Sequence, residues 1–151
     1  MPTQETKACA FEALHRGEPF VIPNPWDAGS ARVLAGLGFQ ALATTSSGFA
    51  FTLGRLDGGT TLDEVAAHVA ALDRATDLPV SVDLENGYGA DPETAARAIA
   101  RVAEAGAQRV SVGGSLAWSA VGAFVEAARA IRDRGDFSAL GSSAAFREWL
   151  D

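Results

Sequence analysis

The sequence predicts an α/β fold with a parallel sheet: four βα units between an N-terminal helix and a short C-terminal helix. Three observations predict it. Short Val-, Ile- and Leu-rich runs alternate with longer stretches whose apolar residues recur every three or four positions. Capping residues stand at the starts of several long stretches and glycines at the ends of several. The polar, glycine-rich segments all follow the carboxyl ends of predicted strands, where open α/β sheets and barrels place their chemistry. Strands that alternate with helices imply parallel pairing through right-handed crossovers.

Taken in order, Thr6 to Arg16 carries Phe11 and Leu14 on one side and charges on the other, a short helix stopped by Gly17. Phe20-Val21-Ile22 reads as a buried strand before Pro23, and Asp27 as the cap of a helix bearing Val33, Leu34 and Leu37. Phe39 to Thr45 is the second predicted strand, and Ser46 to Gly59 a glycine-rich loop. Thr61-Leu62-Asp63-Glu64 is a capping box opening a helix with Leu62, Val65, Val69 and Leu72 in period. Leu78 to Leu84 is the third strand. Asp91-Pro92 supplies a cap and a first-turn proline for a helix with Ala95, Ile99 and Val102. Gln108 to Val112 is the fourth strand, followed by a long helix ended by Gly135 and a last short helix over Ser142 to Leu150.

The chain has 151 residues, 48% of them hydrophobic, which suits one domain, 1–151, with a real core. Its net charge is −7 and its pI about 4.7. That argues against a nucleic-acid binder, which needs a basic face. Cys9 is the only cysteine, which excludes an internal disulfide and any cysteine-based zinc site. It agrees with the reducing cytoplasm as the expected location. No signal peptide is visible at the start, and Gln40, the polar run Thr44 to Ser47 and four glycines interrupt the uncharged run Val33 to Gly54. A membrane span is therefore not expected.

Chemistry concentrates in the loops after the strands. Asp83 and Glu85 are two apart at a strand end, so strand alternation would point both to one side. Like charges held that close call for a hard divalent cation such as Mg2+, with Asp57 as a further outer ligand. The competing reading makes them N-terminal charges of the next helix. Thr44-Thr45-Ser46-Ser47-Gly48 offers hydroxyls and backbone N–H groups to a carboxylate or phosphate, or is an ordinary hydroxyl-rich turn. Gly113-Gly114 lets an anion approach a helix N-terminus, or is a tight turn for close packing. Trp26 is a candidate wall or rim of the same mouth. His15 and His68 lie inside helical stretches and read as structural or exposed.

These segments, taken together, are recognisable. Pro25-Trp26-Asp27-Ala28-Gly29-Ser30-Ala31-Arg32, Ala43-Thr44-Thr45-Ser46-Ser47-Gly48, Leu53-Gly54-Arg55-Leu56-Asp57 and Val82-Asp83-Leu84-Glu85-Asn86-Gly87-Tyr88-Gly89 resemble the isocitrate lyase/phosphoenolpyruvate mutase superfamily. Residues 1–106 resemble the first three βα units of that family's (β/α)8 barrel, and 107–151 its last strand and terminal helices. The fold class this implies is a partial TIM-type barrel. The resemblance also implies Mg2+ at Asp57, Asp83 and Glu85, and a substrate carboxylate at Ser47-Gly48. It implies chemistry on small α-keto or α-hydroxy acids through an enolate, of the 2-methylisocitrate lyase or oxaloacetate decarboxylase type. With the residue analysis, the expected substrate-binding positions are Ser46, Ser47, Gly48, Gly113 and Gly114.

The departure from that family lies near Ala107. A barrel of this type needs about 250 residues and eight βα units, whereas four are counted here. The family's next strand, with another metal-site acid, and its mobile catalytic loop have no counterpart, so no general acid is assigned. The fourth strand is expected beside the third, in order 1-2-3-4, with exposed apolar surface favouring a homo-oligomer. The alternatives are impaired turnover, a non-catalytic remnant that binds Mg2+ or an anion or self-associates, and a flavodoxin-like binding domain.

Overall fold

A computed structural model of the chain describes residues 2–113 and 115–140. The chain divides after Gly113 into two compact units. The first unit holds α1 (Gln4–Leu14), α2 (Ala28–Gly36), β1 (Leu42–Ala43), α3 (Ser46–Thr52), α4 (Leu62–Ala75), β2 (Val80–Asp83), α5 (Pro92–Glu104) and β3 (Arg109–Ser111). The second holds α6 (Ser115–Arg134), after which Gly135 takes a left-handed φ of 62°. The helix expected over Ser142 to Leu150 lies outside the described residues. Among the described residues, no helix is long and apolar enough to cross a membrane.

The sheet runs β1-β2-β3, all parallel, with Ala43 opposite Ser81 and Asp83 opposite Ser111. Val80, Ser81 and Val82 on β2 are all buried, as expected for a strand covered on both faces. α4 packs against α2, α5 and β2. Its buried side divides the core: Val65 and Val69 join Val82, Leu84 and Val102, while Leu72 joins Ala31 and Leu42.

The expected caps are present. Asp27 accepts from Ser30 N at 2.7 Å, Thr61 and Glu64 form a reciprocal box, and Asp91 accepts from Thr94 N at 2.7 Å. All three carboxyls are held below the usual range, Asp27 chiefly by Ser30 N–H, Glu64 chiefly by Thr61 N–H, and Asp91 chiefly by the Thr94 hydroxyl and then its N–H.

Three expectations need correction. Phe20-Val21-Ile22 is not a strand; the segment makes one backbone bond to β1, from Ala43 N to Pro23 O at 3.0 Å, and Val21 is exposed. An apolar run becomes a strand only where a neighbour accepts its ladder, and this one has no continuing partner. The second strand shrinks to Leu42–Ala43. The expected loop from Ser46 begins instead as helix α3, capped by the Thr45 hydroxyl, which accepts from Gly48 N at 3.3 Å.

At the amino-terminal end of the sheet α1 is tied down by polar contacts, among them those of the buried Lys7. Lys7 Nζ donates to Asp73 Oδ1, Asp73 O and Thr76 O at 2.8, 3.0 and 2.9 Å. Gln4 Nε2 donates to Ala103 O and Ala107 O, and Gln108 Oε1 accepts from Val80 N. Gly106, at φ 115°, lets this turn pass so close to Asp73 that a Cβ would sit 2.6 Å from its Cγ. The turn that carries α5 into β3 is therefore held by its own hydrogen bonds and by α1.

Candidate functional site

Parallel strands bring three carboxyl ends to one rim: Thr44 to Ser46 after β1, Asp83 to Glu85 at the end of β2, and Ser111 to Gly113 at the end of β3. At its centre the Asp83 backbone N–H donates to Thr44 Oγ1 at 2.9 Å. The Asp83 carboxylate then accepts from two backbone groups, Ser46 N at 3.2 Å and Glu85 N at 3.1 Å. One side chain thus joins the start of α3 to the acidic turn.

Glu85 does not continue the strand. β2 ends at Asp83, Leu84 is fully buried, and Glu85 has a left-handed φ of 50°, so strand alternation does not set its direction. Asn86-Gly87 completes a turn in which Gly87 N donates to Leu84 O at 2.8 Å, and Tyr88 also has a left-handed φ, 60°. The Glu85 carboxylate meets two hydroxyls: Thr60 Oγ1 and Tyr88 Oη donate to Oε1 at 3.2 and 2.9 Å. Those two hydroxyl oxygens are 3.0 Å from each other. Burial pushes the Tyr88 hydroxyl up to about 12; the Thr60 hydrogen bond opposes the rise, and Glu85 and Asp83 add to it. Both carboxylates therefore act on one phenol, which stays a proton donor at neutral pH.

Of the residues predicted from sequence, Ser46, Asp83 and Glu85 come together here. Asp57 stands apart, exposed, its carboxylate accepting from Gly58 N at 3.2 Å. Gly58 itself lies against the corner, with Glu85 Oε2 3.8 Å from where its Cβ would be. Among the described residues no three acidic, histidine or cysteine side chains gather as a ready-made metal cluster. Ser47 and Gly48 face a groove they share with Trp26, Asp27, Phe51 and Thr52. Trp26 is 52% exposed there, a rim residue. Gly48 serves packing: a Cβ would fall 2.6 Å from Thr45 Cγ2. Its N–H is engaged by the cap, and Ser46 N by Asp83, so anion binding through those two N–H groups is not what α3 offers. Ser46 and Ser47 also bring hydroxyls to the start of α3, where Ser47 Oγ lies 3.3 Å from Thr45 Oγ1. Gly113, at φ 51°, donates its N–H to Ser111 Oγ at 3.3 Å. Gly114 lies outside the described residues.

Sequence reasoning missed Thr60 and Tyr88. Tyr88 is the only tyrosine in the chain and stands three residues after Glu85 across an Asn-Gly turn, a spacing that brings the two side chains near each other. His68 is structural, as expected of the two histidines: it is buried on α4 and stacked on Phe49 of α3, ring centroids 4.1 Å apart. His15 packs edge-on between Phe11 and Phe20.

The side chains brought to this corner carry oxygen atoms: the Asp83 and Glu85 carboxylates and the Thr60 and Tyr88 hydroxyls. The two hydroxyls donate to Glu85 Oε1, and the two Asp83 oxygens accept from Glu85 N and Ser46 N. Two carboxylates, with waters completing the shell, fit a hard, partly hydrated cation such as Mg2+.

Comparison with known proteins shows the family. The phosphoenolpyruvate phosphomutase family model matches residues 11–108, about two thirds of the chain. A probable 2-methylisocitrate lyase of Corynebacterium glutamicum is 36% identical over 70% of this chain and 34% of its own length. A solved Burkholderia cenocepacia protein, provisionally named a lyase/mutase, superposes with a TM-score of 0.67 at 28% identity, covering 97% of both chains. The structure of 2,3-dimethylmalate lyase, described as a member of the PEP mutase/isocitrate lyase superfamily, matches 73% of this chain and 39% of its own with a TM-score of 0.62 at 30% identity. The chain spans about a third of the length of the curated relatives it matches. That partial coverage of barrel relatives, with the parallel sheet, makes the fold a partial barrel.

Proposed function

The chain belongs to the phosphoenolpyruvate phosphomutase family, and from that premise we propose that its rim takes a hydrated Mg2+ beside a small α-keto or α-hydroxy carboxylic acid and supports cleavage of a carbon–carbon bond in that acid through an enolate. The observation that carries this is the Asp83 carboxylate, which joins the serine-bearing start of α3 to the acidic turn of Glu85. Asp83 and Glu85 would hold the cation, with waters filling its shell and Asp57 reaching it through one of them. When bound, the cation supplies positive charge for the oxygens on which enolate charge develops. The Ser46 and Ser47 hydroxyls would meet the substrate carboxylate, and Trp26 would cover one side of the groove.

A second reading, binding without turnover, is favoured by one observation. Ser111 of β3 stands opposite Asp83, on the strand that takes the place of the missing family strand for which the resemblance implies another acid. No side chain at this rim is assigned as general acid, and such a group is ordinarily worth ~2–4 decades in rate.

The test uses the full chain with 2-methylisocitrate or oxaloacetate and measures release of pyruvate, with succinate from the first and carbon dioxide from the second. The proposal expects Mg2+-dependent release above that of Asp83→Asn. Binding of Mg2+ and oxalate without release supports the second reading. A folded chain that binds neither overturns both.

A further inference from the structure

Glu85 and Tyr88 are the two described non-glycine residues with left-handed backbone, and they bracket one turn. Such conformations cost of order 1–3 kcal/mol each and persist where surrounding contacts over-determine them. Here the contacts are the side chains themselves. Tyr88 Oη donates to Glu85 Oε1 at 2.9 Å across the turn, and Thr60 Oγ1 reaches the same oxygen at 3.2 Å from the segment before α4. Thr60 is buried, 8% exposed. Arg55 secures that segment, donating to both Glu64 oxygens at 2.9 and 2.8 Å and to Gly59 O at 3.2 Å. The Tyr88 ring packs against the core cluster that includes Val82 and Leu84. The phenol is thereby anchored at its apolar end and aimed at the carboxylate with its polar end.

We propose that Tyr88 and Thr60 are positioning residues: their hydroxyls together set the orientation of the Glu85 carboxylate, and through it the affinity of the rim for a divalent cation that neither of them touches. This rests on the Mg2+ reading of the rim given above. The two hydroxyls come from different segments and meet the same oxygen, so each restricts the carboxylate from its own side. Loss of either leaves Glu85 with a wider range of orientations. Partners of this kind are typically worth 10–100-fold in metal affinity.

The test is calorimetric titration of Mg2+ into the full-length chain and into Tyr88→Phe, Thr60→Val and Thr60→Ser, with hydrogen exchange of the Gly87 amide measured in parallel. Tyr88→Phe and Thr60→Val should each weaken binding about tenfold or more. The double variant should lose less than the product of the two, because both act on one carboxylate. Thr60→Ser, which keeps the hydroxyl, should bind within about threefold of the parent, which a purely packing role for Thr60 would not yield. Should the parent chain bind no Mg2+, the cation reading fails, and the positioning role is judged by exchange alone. Faster Gly87 exchange in Tyr88→Phe and Thr60→Val, but not in Thr60→Ser, would then support it. Affinity and exchange that match the parent in both hydroxyl-free variants would overturn it. A variant with a lowered melting point is assessed only at temperatures where its far-UV spectrum matches the parent.

Discussion

At the amino-terminal end of the sheet, Lys7 places its three ammonium N–H donors on three acceptors, Asp73 Oδ1, Asp73 O and Thr76 O. At the carboxyl end, two carboxylates share one corner, met by two backbone N–H groups and two hydroxyls. The first cluster is balanced in charge and in hydrogen bonds, so it asks for nothing from outside. The second gathers two carboxylates at the rim where the cation is proposed to bind. The contrast sets a polar cluster that holds the fold together against the one at which a cation is proposed, in keeping with the division of labour between the two faces of βα barrels.

The largest expected effect breaks the balanced end. Lys7→Met removes the donor for three acceptors and leaves Asp73 without its cation; Asp73 is 30% exposed and can rehydrate in part. A loss of about 3 kcal/mol is expected in chemical denaturation, at the lower end of the range for broken buried pairs. Mg2+ affinity of the folded variant should stay close to that of the parent, because the two clusters lie at opposite ends of the sheet.

The next effect concerns the contact between α4 and α3. Burial pushes His68 down to about 4 against the partial opposition of Asp27, and its Nε2 has no hydrogen-bond partner among the described residues. An unfolded histidine takes up its proton near pH 6.5, so between about 6.5 and 4 the unfolded chain binds more protons than the folded one. Stability is therefore full above pH 6.5 and falls as the pH drops through that window. Denaturant midpoints measured from pH 7 to 4.5 should decline for the parent and run flatter for His68→Leu. A smaller change sharpens the comparison on a helix cap: Thr61→Ala should cost about 1 kcal/mol, read as a lower denaturant midpoint.

What was legible in the sequence was what is decided locally. Asp27, Thr61 with Glu64, and Asp91-Pro92 cap their helices with groups three residues away or fewer, and the structure has all of them. Strand existence depends on partners far along the chain. Leu78 to Leu84 contains β2 because β1 and β3 flank it, whereas Phe20 to Ile22 lacks a continuing partner. α3 was hidden because Gly48 and two serines read as loop; the signal was Thr45, an N-cap three residues before that glycine. At the rim, Asp83 and Glu85 were found by residue type and spacing, but their relation was not. A left-handed Glu85 ends the alternation, and its actual partners, Thr60 and Tyr88, come from a segment 25 residues earlier and from across a turn. Lys7, the only lysine in the chain, gave no hint of its acceptors some 66 residues away.

The most direct measurement is calorimetric titration of oxalate, a mimic of the enolate, into the full chain with saturating Mg2+, with EDTA, and into Asp83→Asn with Mg2+. The account predicts a saturable heat in the first case alone, with all three samples equally folded. Oxalate binding of equal strength in EDTA or in Asp83→Asn would contradict it, as would no heat from the folded parent with Mg2+.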